Sequence, residues 1–134
     1  MVEKIEWEGQ LLALIIRADY EPKEYNFVTH PDNPLQFGIF RHKRGATIKP
    51  HIHRDIERTI DKIQEALYLT YGKVEVQFYD PTGRKIESTI LYSGDAILLI
   101  SGGHGFNILE DSKIIEIKQG PYSGVNNDKL RFDI

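Results

Sequence analysis

The chain has 134 residues, 40% of them hydrophobic and 28% charged, a balance that fits one folded domain and excludes the low-hydrophobicity signature of disorder. Its formal net charge of -3 argues against a nucleic-acid-binding surface, which needs a basic excess. The absence of cysteine excludes disulfides and thiolate metal sites.

In chain order, the first apolar run is 11–16, bounded by Gln10 and Arg17. It is too short to cross a membrane, and the acidic Glu3, Glu6 and Glu8 before it are wrong for a signal peptide. The default expectation is a soluble, cytoplasmic domain with no membrane partner. A strand is expected over 11–19 and another over 36–42. The basic run Arg41, His42, Lys43, Arg44 reads as a solvated turn, because no aromatic stacking platform accompanies it. His30 and His42 stand in polar, loop-like surroundings and are not read as ligands.

The stretch that follows Gly45 carries a different signal. His51 and His53 stand one residue apart behind Pro50. In a strand, residues i and i+2 share a face, so the two imidazoles would project the same way. Imidazole is the commonest metal-ligating side chain, and two on one strand make half a site. The plainer alternative is a pair of histidines exposed on an edge strand. Beyond them, Ile56, Ile60 and Ile63 are spaced four and three apart, which suits one or two helical turns over 55–64 or an extended loop.

From Glu65 onward the chain reads as strands and turns. Strands are expected over 65–71 and 73–79, with a glycine turn at Gly72 between them. In the second, Val74, Val76 and Phe78 alternate with Glu75, Gln77 and Tyr79. Asp80, Pro81, Thr82 and Gly83 fit a type I turn. Strands over 86–92 and 96–100 flank a turn at 92–95. A glycine-rich turn over 101–106 holds His104, and a further turn is expected at Glu110, Asp111 and Ser112. In the last strand, 113–119, Ile115 and Ile117 share one face and Glu116 and Lys118 the other, with Ile114. The segment 130–134 is expected to pack back on the body. Many short strands with little helix define an all-β, antiparallel sandwich or barrel.

These histidines and glycines resemble the cupin superfamily of small β-barrels. Its first motif runs from a glycine to His-x-His after five residues, then a glutamate after three or four, then a glycine after six. Gly45, His51 and His53 match the first part. Glu57 matches the glutamate but is followed by Gln64 where the motif has glycine. Glu65 comes too late after His53, yet is followed at the right spacing by Gly72. Glu65 opens a strand-like run, whereas Glu57 stands among charged neighbours; a ligand on a strand is held better. Glu65 is therefore the preferred carboxylate and Glu57 the alternative, with 54–64 as an insertion at the barrel mouth. The second motif is carried by Gly94, Gly102, His104 and Asn107, with Ile100 in place of a proline and small offsets at His104 and Asn107.

The resemblance implies a double-stranded β-helix (cupin or jelly-roll) barrel over 1–134 as a single domain, and a homodimer, for which 5–20 with Trp7 is the candidate interface. The implied ligand set is His51, His53, Glu65 and His104 around one divalent transition metal (Fe, Mn, Ni, Co or Zn). Such a site suits a small metal-dependent enzyme, of isomerase or dioxygenase type, acting on a small polar, sugar-like molecule. The alternatives are a non-catalytic binding module for a small-molecule ligand, and a metal-free sugar-nucleotide epimerase or ketoisomerase. Lys118, Glu116 and Tyr122 are the candidate acid/base residues.

Overall fold

The computed structural model describes residues 2–23 and 26–121, and among these no helix forms. The strands are β1 (Val2–Trp7), β2 (Gln10–Ile16), β3 (Asn26–Phe27), β4 (Gly38–Ile39), β5 (Glu65–Tyr79), β6 (Lys85–Tyr92), β7 (Ala96–Leu99) and β8 (Gly103–Lys118). β-branched and aromatic residues dominate the longer ones, as side chains on a pleated, half-buried surface require. One antiparallel sheet runs β1-β2-β7-β5-β6, with β8 on the other side of β5; β3 and β4 form a separate ribbon. The main sheet curls into a half-barrel.

β5 is the spine of this sheet. β7 pairs with its first residues, 65–68, and β6 with 73–79, both on the same side. β8 follows it on the opposite side from Glu65↔Lys118 to Tyr79↔Gly103. The residues that β5 gives to the core change parity along it: Leu67 and Leu69 from the first half, Val74, Val76 and Phe78 from the second. An uninterrupted strand would have turned one of these sets away from the core. The ladder with β8 slips between Leu69 and Val74, and this irregularity resets which face points inward.

Gly72 sits at the slip with φ +111°, a conformation closed to most L-residues. A Cβ there would lie 2.1 Å from Ser112 Oγ and 2.6 Å from the Asp111 carbonyl oxygen. The glycine therefore lets the two strands touch where they bend. Glu110, Asp111 and Ser112, expected as a turn, lie inside β8 opposite this point, and 65–71 and 73–79 form one strand rather than two.

The core joins Ile5, Leu12, Ala13 and Ile15 of β1 and β2 to β5, Leu91 of β6, and Ile97 and Leu99 of β7. β2 is buried on both faces from Leu12 to Ile16, so its sequence is a continuous apolar run without alternation. Trp7, considered as an exposed interface residue, packs against this core. The strand expected over 36–42 reduces to β4, and 55–64 has no regular structure. The segment 130–134 lies outside the described residues.

One polar knot ties the sheet together. Asp95, 3% exposed, follows Gly94 in the turn before β7. Its carboxylate accepts from Arg17 Nη1 at 2.8 Å, from the Ala18 backbone N–H at 2.9 Å and from the Tyr92 N–H at 2.8 Å. Arg17 also donates to Glu3, to the Ile90 carbonyl and to Thr89 Oγ1. The end of β2 is thereby fastened to β1, to β6 and to the β6–β7 turn. Removing one partner of a buried, hydrogen-bonded ion pair leaves the other charge uncompensated. Asp95→Ala is expected to lower the unfolding free energy by about 3 kcal/mol, and urea denaturation checks this against Glu3→Ala. The latter removes only the exposed arm and is expected to cost about 1 kcal/mol or less.

Candidate metal centre

Glu65 opens β5, held between Leu99 of β7 and Lys118 of β8. His104 is the second residue of β8, opposite Phe78. It lies on the strand, not on the glycine-rich turn where the sequence suggested it. The turn itself is Ser101 and Gly102; Gly102 has φ +73° and a Cβ there would lie 2.7 Å from the Tyr79 carbonyl oxygen, so the position takes glycine on both counts. This close approach sets where β8 starts, and with it the aim of His104.

Glu65 and His104 are thus at opposite ends of the β5–β8 ladder, yet His104 Nε2 is 3.6 Å from Glu65 Oε2. They border a small depression of about 40 Å³, closed by Ile63, Leu99, Ile100 and Gly102. The adjacent imidazole is the main influence on the Glu65 carboxyl, opposed by burial and aided by the neighbouring Glu116 side chain and by the charge of Lys118. Together they hold it down at about 2, so Glu65 is an anion at neutral pH. Glu116 and Lys118 face the same side of the sheet as Glu65, while Ile115 and Ile117 are exposed on the other. The alternation read from the sequence is the observed one, with the charged pair turned towards the site.

His51 and His53 lie on the irregular, exposed stretch between β4 and β5, their ring centroids 5.2 Å apart. His51 Nδ1 is 2.9 Å from the Lys49 carbonyl oxygen. A carbonyl only accepts, so Nδ1 carries a proton, and in the neutral ring Nε2 keeps its lone pair, the arrangement found in metal-ligating imidazoles. Glu57 is exposed on the same stretch. Two pairs therefore stand apart on the chain, His51 with His53 and Glu65 with His104. Among the described residues no three His, Asp or Glu side chains gather at one point. Tyr122 lies outside the described residues.

The sequence reading passed over Gln64, which is 2% exposed. Its side chain exchanges hydrogen bonds with Asn33, donating from Nε2 at 2.9 Å and accepting from Asn33 Nδ2 at 2.7 Å. Its backbone N–H donates to Gln119 Oε1 at 2.9 Å. Nothing local marks such a residue: Gln64 follows a charged stretch, and its partners are distant in sequence.

Comparison with models of known protein families, with curated proteins and with solved structures finds no match to this chain.

The Glu65 carboxyl titrates lower in the folded chain than its ordinary 4.5, so its anion stabilises the fold above pH 4.5. That contribution is lost as the pH falls from 4.5 towards about 2. With chelator present, the urea midpoint of the wild type is expected to fall more steeply than that of Glu65→Gln across this window. Parallel curves throughout would show that His104 does not act on Glu65.

Proposed function

We propose that the chain is a metal-binding cupin, a double-stranded β-helix in which His51, His53, Glu65 and His104 hold one divalent transition metal. The observation that carries this reading is the approach of Glu65 to His104 from opposite ends of the β5–β8 ladder. It is supported by the free edge of β8, which among the described residues pairs with β5 alone. Ile48 and Ile52 are exposed on the segment that bears His51 and His53, Ile52 by 93%. Laid along the β8 edge as a further strand, this segment would bury isoleucine, satisfy backbone groups that the edge leaves open, and deliver two imidazoles beside His104.

The donor set fits the group. Glu65 is deprotonated, a neutral His51 ring with its proton on Nδ1 has Nε2 free, and three imidazoles with one carboxylate suit Fe, Mn, Ni, Co or Zn. When bound, the metal supplies Lewis-acid polarisation of a substrate oxygen, or oxygen activation if it is iron. Glu116 and Lys118, next to Glu65, are the residues placed to move a proton. The substrate is a small polar organic molecule, and the reaction an isomerisation or an oxygenation.

A second reading draws on the same contact. An imidazole against a buried carboxylate is also the arrangement of a histidine base with its orienting partner, as a metal-free isomerase would use. In that reading His104 takes the proton, Glu65 fixes the ring, and His51 and His53 are dispensable.

Elemental analysis of untagged protein purified without chelator separates the two. One equivalent of transition metal per chain is expected, lost in His51→Ala and Glu65→Ala and retained in Glu57→Ala. Loss in Glu57→Ala with retention in Glu65→Ala would keep the metal and exchange the carboxylate. No metal in any sample, even after reconstitution with Fe, Mn, Ni and Zn, would leave the histidine-base reading.

A further inference from the structure

The wall formed by Ile100 and Ser101 has two sides. One closes the depression at Glu65 and His104; the other borders an open groove of about 570 Å³. Leu11 and Ile100 give the groove an apolar base, beside which lie the amides of Asn33 and Gln64. The rim carries His30, Asp32, Asp61 and Lys62.

The hydrogen-bonding capacity of this groove is specific. Both hydrogens of the Gln64 amide are committed, to Asn33 Oδ1 and to the Ile100 carbonyl oxygen. Both of Asn33 are committed as well, to Gln64 Oε1 and to the Leu35 carbonyl oxygen at 2.5 Å. Among the described residues each amide oxygen accepts one bond and retains a second lone pair. The reciprocal amide pair is therefore saturated as a donor and open as an acceptor, and the carboxylates of Asp32 and Asp61 add further acceptors. The Asp32 backbone N–H donates to His30 Nδ1 at 3.1 Å, so in the neutral ring the proton sits on Nε2, which donates outward. Lys62 offsets one of the two carboxylates.

A ligand that satisfies this set brings several hydroxyl donors, a few acceptors, no strong net charge and a C–H face for Leu11 and Ile100. We infer that the groove binds a neutral, polyhydroxylated molecule of the mono- or disaccharide class, by a surface separate from the proposed metal ligands. Asn33, with the buried Gln64 behind it, lines the groove with amide oxygens, and the exposed Asp32 and Asp61 grip hydroxyls. A small ligand seated there reaches the Ile100–Ser101 wall, behind which His104 and Glu65 stand.

Calorimetric titration in the presence of chelator tests this apart from any metal. The probes are glucose, maltose, glucose 6-phosphate and spermidine. Saturable binding of a neutral sugar is expected, weakened about tenfold in Asp61→Ala, the loss of one hydrogen bond to a charged acceptor. Asp32→Ala is expected to act likewise and His104→Ala to leave the affinity unchanged. Both aspartates are exposed on loops, so neither variant depends on core packing. Binding of the phosphate ester or spermidine alone, binding of none of the four, or indifference to both aspartate variants would overturn the inference. Loss of sugar binding in His104→Ala would overturn it too, by placing the sugar in the Glu65 depression. A failed metal analysis with sugar binding intact would remove the metal reading and leave the groove.

Discussion

Everything in this fold hangs on the curl of β5. Glu65 and Phe78, the latter opposite His104, are thirteen residues apart along it, a distance that fully extended strand would stretch to about 43 Å. The Glu65 and His104 side chains nevertheless meet at 3.6 Å. Only a sheet bent back on itself allows that, and the bend is located: Gly72, the register slip against β8, and the close approach of Ser112. The hydrophobic core lies inside the bend and the polar contact at its mouth. Burial drives the curl, and the curl creates the site.

The same geometry assigns unequal parts to the two halves of the proposed centre. Glu65 and His104 are gripped by ladders on β5, β7 and β8, so their separation is a property of the sheet. His51 and His53 are held by local contacts, a ring against a ring and a ring against a backbone carbonyl. A site built this way has one rigid wall and one deformable one. The rigid wall carries the charge, since Glu65 is kept ionised by its neighbours.

Much of the strand pattern was legible in the residues, and the misses have physical reasons. β5 after Gly72, β6 and β7 follow β-branched periodicity and were expected nearly where they lie. β1 was not expected, because only Ile5 on it is fully buried and the charged residues between mask the strand. The first half of β8 was read as turns, since glycines and Glu110, Asp111 and Ser112 are turn formers in isolation; pairing with β5 overrides them. The preference for Glu65 over Glu57 came from a local argument about strand support. What no local argument could supply is that Glu65 meets His104, because that contact depends on a bend encoded at Gly72 and Ser112 together. The Gln64–Asn33 pair is invisible for the same reason, being a contact between two loops.

β2 has a consequence for how the chain is made. Its residues 12–16 are apolar and buried on both faces, and the strand that covers one of its edges, β7, pairs Ala13 with Leu99. More than eighty residues are synthesised between these partners. At ordinary elongation rates of about 5–20 residues per second, β2 waits several seconds with β1 alone beside it. During that interval its most apolar segment has a free edge and no core to enter. The charges that seemed merely to disguise β1 then acquire a purpose: Glu3, Lys4 and Glu6, alternating along the first partner that β2 meets, keep the nascent hairpin from associating with its neighbours until Ile97, Leu98 and Leu99 emerge to take their places.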